Sequence, residues 1–574
     1  MKFVRSPVLS ETLPLWRSRF VLLALLAGFC LLVGWSVYLQ GVNSDFLQEK
    51  GASRYSRVIT IPATRGRIQD RHGEVLAIST PVKAICALPD SAQLQPAQTR
   101  ALAGLLEMDV RDLNRKLASD RDFVYLKRQV VPDVAERIAA LHLPGISELH
   151  EYRRYYPAAD VTAHLVGFTD AEDVGQEGVE LAFQDKLVGK PGSRRVIKDR
   201  RGQIVEDVES IRKPRDGMDI TLSIDSKIQY LTYASLRQAV TDNKVKGGGA
   251  VVLDAKTGEI LALVNFPTYN PNNRVRLAGG QLRNRALTDT FEPGSTMKPF
   301  TAGLALEKGK FRPDTMIQTA PGYLTIGSAT IHDAHVHGML SVAQVIQKSS
   351  NVGSVKMALT FPPQEMWDMF NALGFGSPLR LGFPGEVGGR LRPAKNWRPI
   401  EQATMAYGYG ISVTLMQLAH SYLAFARDGD LVPLSLLRLD APPPTGRQVF
   451  SAQTAREVRA MLELVVQPGG TATKAQVPGY RVGGKTGTAH KIDGRSYVNK
   501  YVASFVGLAP ASDPRLVVAV MVDEPTGGSY YGGDVAAPVF ARIMAGSLRS
   551  LGVSPDAPLN QPAAISAPPV QESM

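Results

Sequence analysis

The sequence is poor in cysteine and contains no block of charge of one sign. Only two cysteines, Cys30 and Cys86, occur in 574 residues, so the chain has neither a disulfide framework nor a thiolate spacing suited to zinc. The formal net charge is +12 at pH 7, yet the basic residues are dispersed and are not interleaved with aromatic residues. These absences argue against a nucleic-acid partner and favour a basic surface that faces an anionic envelope or substrate.

One long apolar run stands near the N-terminus. Phe20–Leu39 holds twenty residues without a charge, which at about 1.5 Å per residue matches the roughly 30 Å hydrocarbon core of a membrane. Basic residues precede the run, so we expect residues 1–19 in the cytoplasm, a single transmembrane helix at 20–40 and the remainder outside. A cleaved signal peptide is the alternative, but the run is long for one and no A-x-A site follows it.

Two folded regions are predicted beyond the span, since 574 residues exceed one domain of usual size. Residues 41–216 mix short alternating runs with helical stretches and predict an α+β module. In residues 217–551, a β-hairpin from Gly247 and a second antiparallel strand pair from Tyr501 enclose several helical segments. This order predicts an antiparallel sheet flanked by helices. The Pro- and Ala-rich stretch 552–574 is predicted to be a disordered tail.

The segment GYRVGGKTGTAH, which begins at Gly479, fits two motifs with different chemistry. Gly479, followed by four residues and then by Gly484-Lys485-Thr486, satisfies the phosphate-loop pattern G-x-x-x-x-G-K-[ST]. A phosphate loop needs a helix directly after the Lys-Thr pair, whereas Gly487 and a turn signal follow here. We therefore interpret Lys485-Thr486-Gly487 as part of an acyl-transfer site on an edge strand, where cationic and hydroxyl groups bind a carboxylate and the backbone pairs with a peptide.

An acyl-transfer site also requires a nucleophile and a base, and both are present upstream. In FEPGSTMKPF, Ser295 and Lys298 are three residues apart, so at the start of a helix their side chains share one face. A lysine in such a place can take the proton of the serine hydroxyl. In KSSNVGS, Ser349 offers a hydroxyl for proton relay and Asn351 an amide for a substrate carbonyl.

Each of these motifs alone is weak evidence, and two of them occur a second time in the chain. A second Ser-x-x-Lys begins at Ser210 in a predicted polar loop, and a second Lys-Thr-Gly begins at Lys256 in a hairpin turn. A histidine-rich loop could bind a metal ion but has no distant fourth ligand, so its residues are expected to line or flank the cleft instead; it contains His332, Asp333, His335 and His337. Four tyrosines either contact substrate or pack in the interior: Tyr407, Tyr409, Tyr530 and Tyr531.

Taken in order, the three motifs resemble those of class B penicillin-binding proteins, most closely the septal, FtsI-type peptidoglycan D,D-transpeptidases. The likeness runs from the apolar span to about residue 551 and includes RGRIQDRHGEVLA at Arg65, RRYYP at Arg153, GFTD at Gly167, GQEGVE at Gly175, YGYGISVTLMQLAHSY at Tyr407 and YYGGDVAAPVF at Tyr530. The resemblance implies a penicillin-binding transpeptidase fold: an antiparallel sheet flanked by helices, behind an N-terminal α+β pedestal domain and one transmembrane helix.

The resemblance also implies roles for individual residues. The catalytic residues are expected to be Ser295 as nucleophile, Lys298 as base, and Ser349 and Lys485 as proton relay. Substrate binding is expected of Asn351, Thr486, Gly487 and Thr488. The implied substrates are peptidoglycan stem peptides, with β-lactam antibiotics as their mimics, and neither a metal ion nor another cofactor is expected.

The resemblance further implies a place and partners in the cell. It places a single-pass protein in the bacterial inner membrane, with the catalytic domain in the periplasm at the division septum. Since no glutamate-rich glycosyltransferase pattern is found before Ser295, the implied partners are a septal membrane glycosyltransferase of the FtsW type and other divisome membrane proteins.

Three other functions stay open at this point. A hydrolase of the same fold, either a D,D-carboxypeptidase or a β-lactamase, is disfavoured because no E-x-x-N lies between Asn351 and Lys485, so a deacylating glutamate has no counterpart. A non-catalytic scaffold or β-lactam sensor is the second alternative. The third is a class B transpeptidase of cell elongation, because the division assignment rests on the resemblance alone.

Overall fold

The computed structural model describes residues 14–44, 56–198, 204–275, 277–443, 445–494 and 496–558. Helix α1 spans Leu15–Val37 and continues as a π-helical turn over Tyr38–Val42, so it begins before the predicted span. It is long and apolar enough to cross a membrane, and none of its residues is buried against the rest of the described protein. Such a helix fits a single-pass membrane anchor.

The N-terminal region is an α+β structure with two small sheets. Its strands are β1 (Ser56–Ile61), β2 (Ile68–Gln69), β3 (Val75–Ala87), β4 (Val124–Val130), β5 (Ile146–Tyr155), β6 (Gly192–Lys198), β7 (Ile204–Arg212) and β8 (Ile220–Thr221). Its helices are α2 (Pro96–Leu105), α3 (Val110–Leu117), α4 (Pro132–Ala139), α5 (Ala163–Val166), α6 (Gly178–Ala182) and α7 (Gln184–Leu187). One sheet has the order β1-β6-β7, and the other has the order β4-β3-β2-β8 with β5 paired along β3.

One loop prediction in this region is wrong. Ser210 was expected in a polar loop, but it lies in β7, where it pairs with Arg194 of β6. The strand forms because its backbone groups find partners on β6, although Pro214 follows shortly afterwards and marks a turn.

A buried carboxylate joins three separate motifs of the N-terminal region. Glu180, on α6, is fully buried and accepts hydrogen bonds from Arg65 Nε and Arg154 Nε, each at 2.6 Å. Arg154 also donates to the carbonyl oxygen of Gly66 at 2.8 Å. These bonds tie the loop before β2, strand β5 and helix α6 together, so the charged residues of these motifs form one structural unit.

The C-terminal region contains the larger sheet and most of the helices. Its strands are β9 (Gly247–Asp254), β10 (Ile260–Phe266), β11 (Met316–Gln318), β12 (Tyr323–Ile326), β13 (Ala329–His332), β14 (Met339–Ser341), β15 (Asp430–Leu431), β16 (Arg447–Gln448), β17 (Gly483–Asp493), β18 (Ser496–Ala509) and β19 (Leu516–Asp523). Its helices are α8 (Ser226–Asp242), α9 (Gly279–Leu282), α10 (Arg285–Thr288), α11 (Lys298–Glu307), α12 (Val342–Lys348), α13 (Asn351–Ala358), α14 (Pro363–Ala372), α15 (Pro399–Met405), α16 (Leu415–Ser421), α17 (Leu423–Ala426), α18 (Ala452–Val466), α19 (Gly532–Val535) and α20 (Ala537–Ser550).

The large sheet is antiparallel and has the order β10-β9-β19-β18-β17. Both strand pairs predicted from the sequence, β9 with β10 and β18 with β19, are confirmed. Strand β9 also pairs with β19, so the two ends of the region close one sheet. All residues of β9, β10 and β19 are buried, because α8 packs near Gly248 on one face and α16 near Gly249 on the other.

The stretch predicted as a disordered tail begins with residues that contact this region. The Tyr480 hydroxyl donates to the carbonyl oxygen of Val553 at 2.6 Å, and Asp556 accepts from the backbone amide of Arg481 at 2.7 Å. Residues 559–574 of the stretch, and residues 1–13 of the predicted cytoplasmic segment, lie outside the described residues.

Replacing Glu180 by glutamine is expected to destabilise the N-terminal region, because two buried guanidinium groups lose the charge they share. Breaking a buried ion pair from one side costs about 3–5 kcal/mol, which a thermal unfolding scan of the detergent-solubilised protein would detect. Glu172→Gln is the matched control, since Glu172 pairs with Arg128 while 64% exposed and such pairs contribute about 1 kcal/mol or less. Equal unfolding midpoints for the two variants would contradict this account.

Candidate active site

Ser295 lies on a single turn of 3₁₀ helix that runs directly into α11. The turn spans Gly294–Met297, and α11 begins at Lys298. Because a 3₁₀ helix has about three residues per turn, Ser295 and Lys298 lie on the same side, although the predicted first turn was α-helical. Ser295 is 4% exposed and Lys298 is fully buried, so the amine lies in the interior behind the hydroxyl.

The 3₁₀ turn is held in place by the YGYG segment and by a buried tyrosine. Gly294 donates its amide to the carbonyl oxygen of Gly408 at 3.2 Å, and a Cβ on Gly408 would lie 2.1 Å from the Gly294 oxygen. Only glycine allows this approach. The Tyr422 hydroxyl donates to the carbonyl oxygen of Thr296 at 2.8 Å, and burial raises the pKa of Tyr422 well above its ordinary value, which keeps it a donor.

Three residues from distant parts of the chain meet at one hydroxyl. Ser349 Oγ accepts from Lys298 Nζ at 3.0 Å and from Lys485 Nζ at 2.9 Å. Lys298 also donates to the carbonyl oxygen of Ser349, and Lys485 to Thr486 Oγ1 at 3.2 Å. Lys298, Ser349 and Lys485 are all fully buried. The arrangement gives a continuous path for a proton between the two amines.

Ser349 and Asn351 lie at a junction between two helices. Ser349 ends α12 in the left-handed conformation with φ +59°, and Asn351 is the first residue of α13. A non-glycine residue in this conformation is strained and persists only where its surroundings hold it. Here the two lysine bonds to Ser349 provide such a hold, and the Asn351 side chain donates to the carbonyl oxygen of His332 at 2.9 Å.

Asp333 holds this junction, a role that the sequence did not reveal. Its carboxylate accepts from the Ser350 hydroxyl at 2.6 Å and from the backbone amides of Asn351 at 2.5 Å and Val352 at 3.0 Å. The histidine loop was expected to line or flank the cleft, without a specific bond for Asp333. In the described part of the chain no three His, Cys, Asp or Glu side chains are placed to hold a metal ion. No local pattern could link Asp333 to amides about 18 residues later.

Strand β17 forms one edge of the large sheet, as predicted, with β18 as its strand partner. Thr486 Oγ1 bonds to Thr471 Oγ1 at 2.9 Å, and Thr488 Oγ1 accepts from the amide of Gly532 at 3.0 Å. A Cβ on Gly487 would lie 2.5 Å from Ser504 Oγ and 2.8 Å from the carbonyl oxygen before the 3₁₀ turn. The glycine of this motif therefore lets the strand approach the turn that carries Ser295.

A chain of aromatic rings extends beside this edge. Successive ring centroids are between 4.0 and 6.4 Å apart in the order Tyr407, Tyr409, Tyr497, His490, Tyr501, Tyr530 and Tyr531. Of the four tyrosines named from the sequence, Tyr407 is buried and burial raises its pKa. The other three are half-buried and form part of the surface next to β17.

A serine and a buried lysine on one helix-initiating turn, with a second lysine on the sheet edge, form an arrangement suited to serine acyl transfer. Two family models match the chain: the penicillin binding protein transpeptidase domain over residues 248–545 and the penicillin-binding protein dimerisation domain over residues 60–222. The chain therefore belongs to the penicillin-binding protein family, as a class B member in which the dimerisation domain precedes the transpeptidase domain.

Curated relatives match along nearly their whole length. The chain is 46% identical over 558 residues to the probable peptidoglycan D,D-transpeptidase PenA of Neisseria gonorrhoeae, covering 96% of this chain and 95% of the relative. It is 42% identical over 551 residues to the peptidoglycan D,D-transpeptidase FtsI of Escherichia coli K12, covering 94% and 93%. The resemblance drawn from the sequence motifs is confirmed, and with it the assignment as a serine-type D,D-transpeptidase.

A solved structure matches the C-terminal region. It is the apo transpeptidase domain of Burkholderia pseudomallei penicillin-binding protein 3, which is 54% identical and superposes with a TM-score of 0.55. The match covers 59% of this chain and 98% of that one. The predicted penicillin-binding transpeptidase fold is thereby confirmed.

Asp333→Asn is expected to slow acylation of the protein by benzylpenicillin roughly 10- to 100-fold, because a shift of the Ser349–Asn351 junction misplaces groups at the site. The rate is measured by intact-protein mass spectrometry at timed intervals. Asp368→Asn serves as the control, since Asp368 is exposed on α14 and, among the described residues, its side chain bonds only to Gln364 one turn away. An Asp333→Asn rate equal to that of Asp368→Asn would show that the junction does not depend on this carboxylate.

Proposed function

We propose that this protein cross-links peptidoglycan stem peptides during septal cell-wall synthesis, through an acyl-enzyme formed on Ser295. The proposal rests on the buried hydrogen-bond network in which Lys298 and Lys485 share the Ser349 hydroxyl. Lys298 lies one turn after Ser295. Fully buried amines are costly unless they are hydrogen-bonded or paired, and clusters of buried ionisable groups are found preferentially at functional sites. β-Lactam antibiotics, which mimic the terminal D-alanine pair, acylate the same serine.

In the acylation step, Ser295 Oγ attacks the carbonyl carbon of the penultimate D-alanine. The ester bond forms, the bond to the terminal D-alanine breaks, and the serine proton is taken by Lys298. An uncharged Lys298 accepts that proton as the general base. Ser349 and Lys485 then deliver a proton to the nitrogen of the departing D-alanine. The backbone amide of Ser295 stabilises the developing oxyanion.

Strand β17 binds the end of the donor peptide. The hydroxyls of Thr486 and Thr488, together with the positive charge near Lys485, bind the terminal carboxylate, and the Asn351 side chain orients the peptide carbonyl. Gly487 acts by its small size, because any side chain would separate the strand from the nucleophile turn. The peptide backbone pairs with the outer edge of β17 as an added strand.

In the second step an amine of a neighbouring stem peptide attacks the ester. A new amide bond forms, the bond to Ser295 breaks, and the proton lost by the amine returns to Ser295 through Lys298. Water is a poor competitor because no glutamate in E-x-x-N spacing lies between Asn351 and Lys485. Product analysis with and without an acceptor amine separates this function from the carboxypeptidase and β-lactamase alternatives.

Helix α1 anchors the protein in the inner membrane, with residues after 41 in the periplasm at the division septum. Cross-linking needs newly made glycan, and no glycosyltransferase pattern is recognised before Ser295; a septal glycosyltransferase of the FtsW type is therefore the proposed partner. A Cβ on Gly28 or Gly34 of α1 would meet no atom within 4 Å in the described structure, and small residues allow close packing of membrane helices.

Penicillin treatment is expected to add one adduct, on the peptide that carries Ser295, and Ser295→Ala is expected to abolish it. Lys298→Ala should slow adduct formation roughly 10²–10⁴-fold, the usual contribution of a general base. Ser210→Ala, in the second Ser-x-x-Lys sequence, is the matched control and should keep the wild-type rate. An adduct on Ser210, or a Lys298→Ala rate within about tenfold of wild type, would refute the assignment.

Depletion of the protein in its native bacterium is expected to give long filaments with unfinished septa. Gly34→Leu should reduce septal localisation while penicillin binding persists, because it blocks packing of α1 against a partner helix, whereas Leu32→Ile should leave localisation intact. Fluorescence microscopy of tagged variants measures both effects. Spherical cells that still divide would assign the enzyme to elongation instead.

A further inference from the structure

A cavity of about 290 Å³ lies beside the nucleophile turn at the end of β17. Its lining includes Phe291 and Glu292, which come just before the turn, and Ala489, His490 and Lys491 of β17. None of the roles proposed above for the catalytic and carboxylate-binding residues uses these side chains. The cavity is large enough for an extended side chain of a bound peptide.

Glu292 is the one carboxylate in the lining that has an unused oxygen. Its Oε1 accepts from the amide of Gly410 at 2.7 Å and lies 3.4 Å from the Tyr497 hydroxyl. Its Oε2 is shielded from solvent and has no hydrogen-bond partner among the described residues. Burial raises the pKa of Glu292 by disfavouring the carboxylate form, and a cation placed next to it would favour that form again and lower the pKa.

The other acidic groups of the cavity already have cationic partners. Asp289 pairs with Arg285 at 2.8 Å, and Asp523 pairs with Lys491 at 2.7 Å. In the part of the chain that the structure describes, no lysine or arginine is within ion-pairing distance of Glu292. A ligand that complements this cavity must therefore bring its own positive charge.

The direction of the bound donor peptide leads its chain to this cavity. The proposed carboxylate site is at Lys485–Thr488, and the nucleophile turn lies beside Thr488 and Ala489, within 3.4–3.5 Å of a Cβ placed on Gly294. The part of the peptide that precedes the scissile bond must then extend the other way, along Ala489–Lys491. At about 3.3 Å per residue, the residue before the terminal D-alanine pair reaches the cavity.

The chemistry of cross-linking supplies the positive charge. A stem peptide can act as acceptor only if it carries a side-chain amine on a residue before the two terminal alanines, since backbone amines are already in peptide bonds. Donor and acceptor stems are copies of one peptide, so the donor carries the same amine. We propose that Glu292 binds the side-chain ammonium of the donor stem peptide and that the cavity beside His490 and Lys491 accommodates that side chain.

The Tyr497 side chain must move away from Glu292 when the ammonium enters the cavity. Its hydroxyl is at the long end of hydrogen-bonding distance from Glu292, and the residue is 53% exposed on the second strand of the β17–β18 hairpin. A bond of 3.4 Å is weak, so an ammonium replaces it with a stronger, charge-assisted bond. This specificity role rests on the transpeptidase function proposed above.

The test compares donor pentapeptides with an acetylated N-terminus that end in D-Ala-D-Ala and carry lysine, N-acetyllysine or norleucine before that pair. With full-length detergent-solubilised protein, D-alanine release should be at least about tenfold faster in kcat/KM for the lysine peptide, the effect of one charged hydrogen bond. Glu292→Gln should reduce this preference to about twofold or less, because kcat/KM for the lysine peptide falls toward the values for the two neutral peptides. Protection of Ser295 from a fluorescent penicillin measures the same preference as binding.

Two control variants make the outcome decisive. Glu172→Gln removes a negative charge that pairs with Arg128 in the N-terminal region, and it should keep the preference. Glu292→Asp retains a carboxylate and should keep part of the preference. This variant provides the test if Glu292→Gln fails to fold. A preference retained in Glu292→Gln, or absent from wild type in both assays, overturns the proposal, whereas lack of a penicillin adduct on Ser295 would overturn the transpeptidase function itself.

Discussion

The structure of the site depends on the burial of two amines around one hydroxyl. Lys298, Ser349 and Lys485 are fully buried and hydrogen-bonded to each other, and a buried amine without such partners would cost several kcal/mol. The three residues come from α11, from the end of α12 and from β17, so these elements must converge within hydrogen-bonding distance. The left-handed conformation of Ser349 is a consequence of that convergence.

Close approach of backbone segments makes the convergence possible. Gly408 contacts Gly294 at the nucleophile turn, and Gly487 lets β17 approach the same turn, in both cases closer than a Cβ would permit. Asp333 then fixes the start of α13 from a separate loop. The two glycines and Asp333 need not contact substrate to be essential, because each determines the position of a reacting or substrate-binding side chain.

Local sequence patterns predicted the parts of this arrangement that local forces determine. The pairs β9–β10 and β18–β19 follow from apolar runs and turn signals, and the shared side of Ser295 and Lys298 follows from helical geometry. Contacts between distant segments could not be predicted. Glu180 pairs with Arg65 across about 115 residues, and Asp333 bonds to amides of another element. Ser210 was assigned to a loop because pairing with β6 is not encoded near Ser210 itself.

The central claim is that Lys298 and Ser349 act as one unit, and a double-mutant cycle tests it most directly. The rate constants for penicillin acylation of wild type, Lys298→Ala, Ser349→Ala and the double variant are compared. Groups that act as a unit are strongly non-additive, so the double variant should be little slower than the slower single variant. If the two rate losses multiply in the double variant, the residues act independently and the shared-hydroxyl account is contradicted.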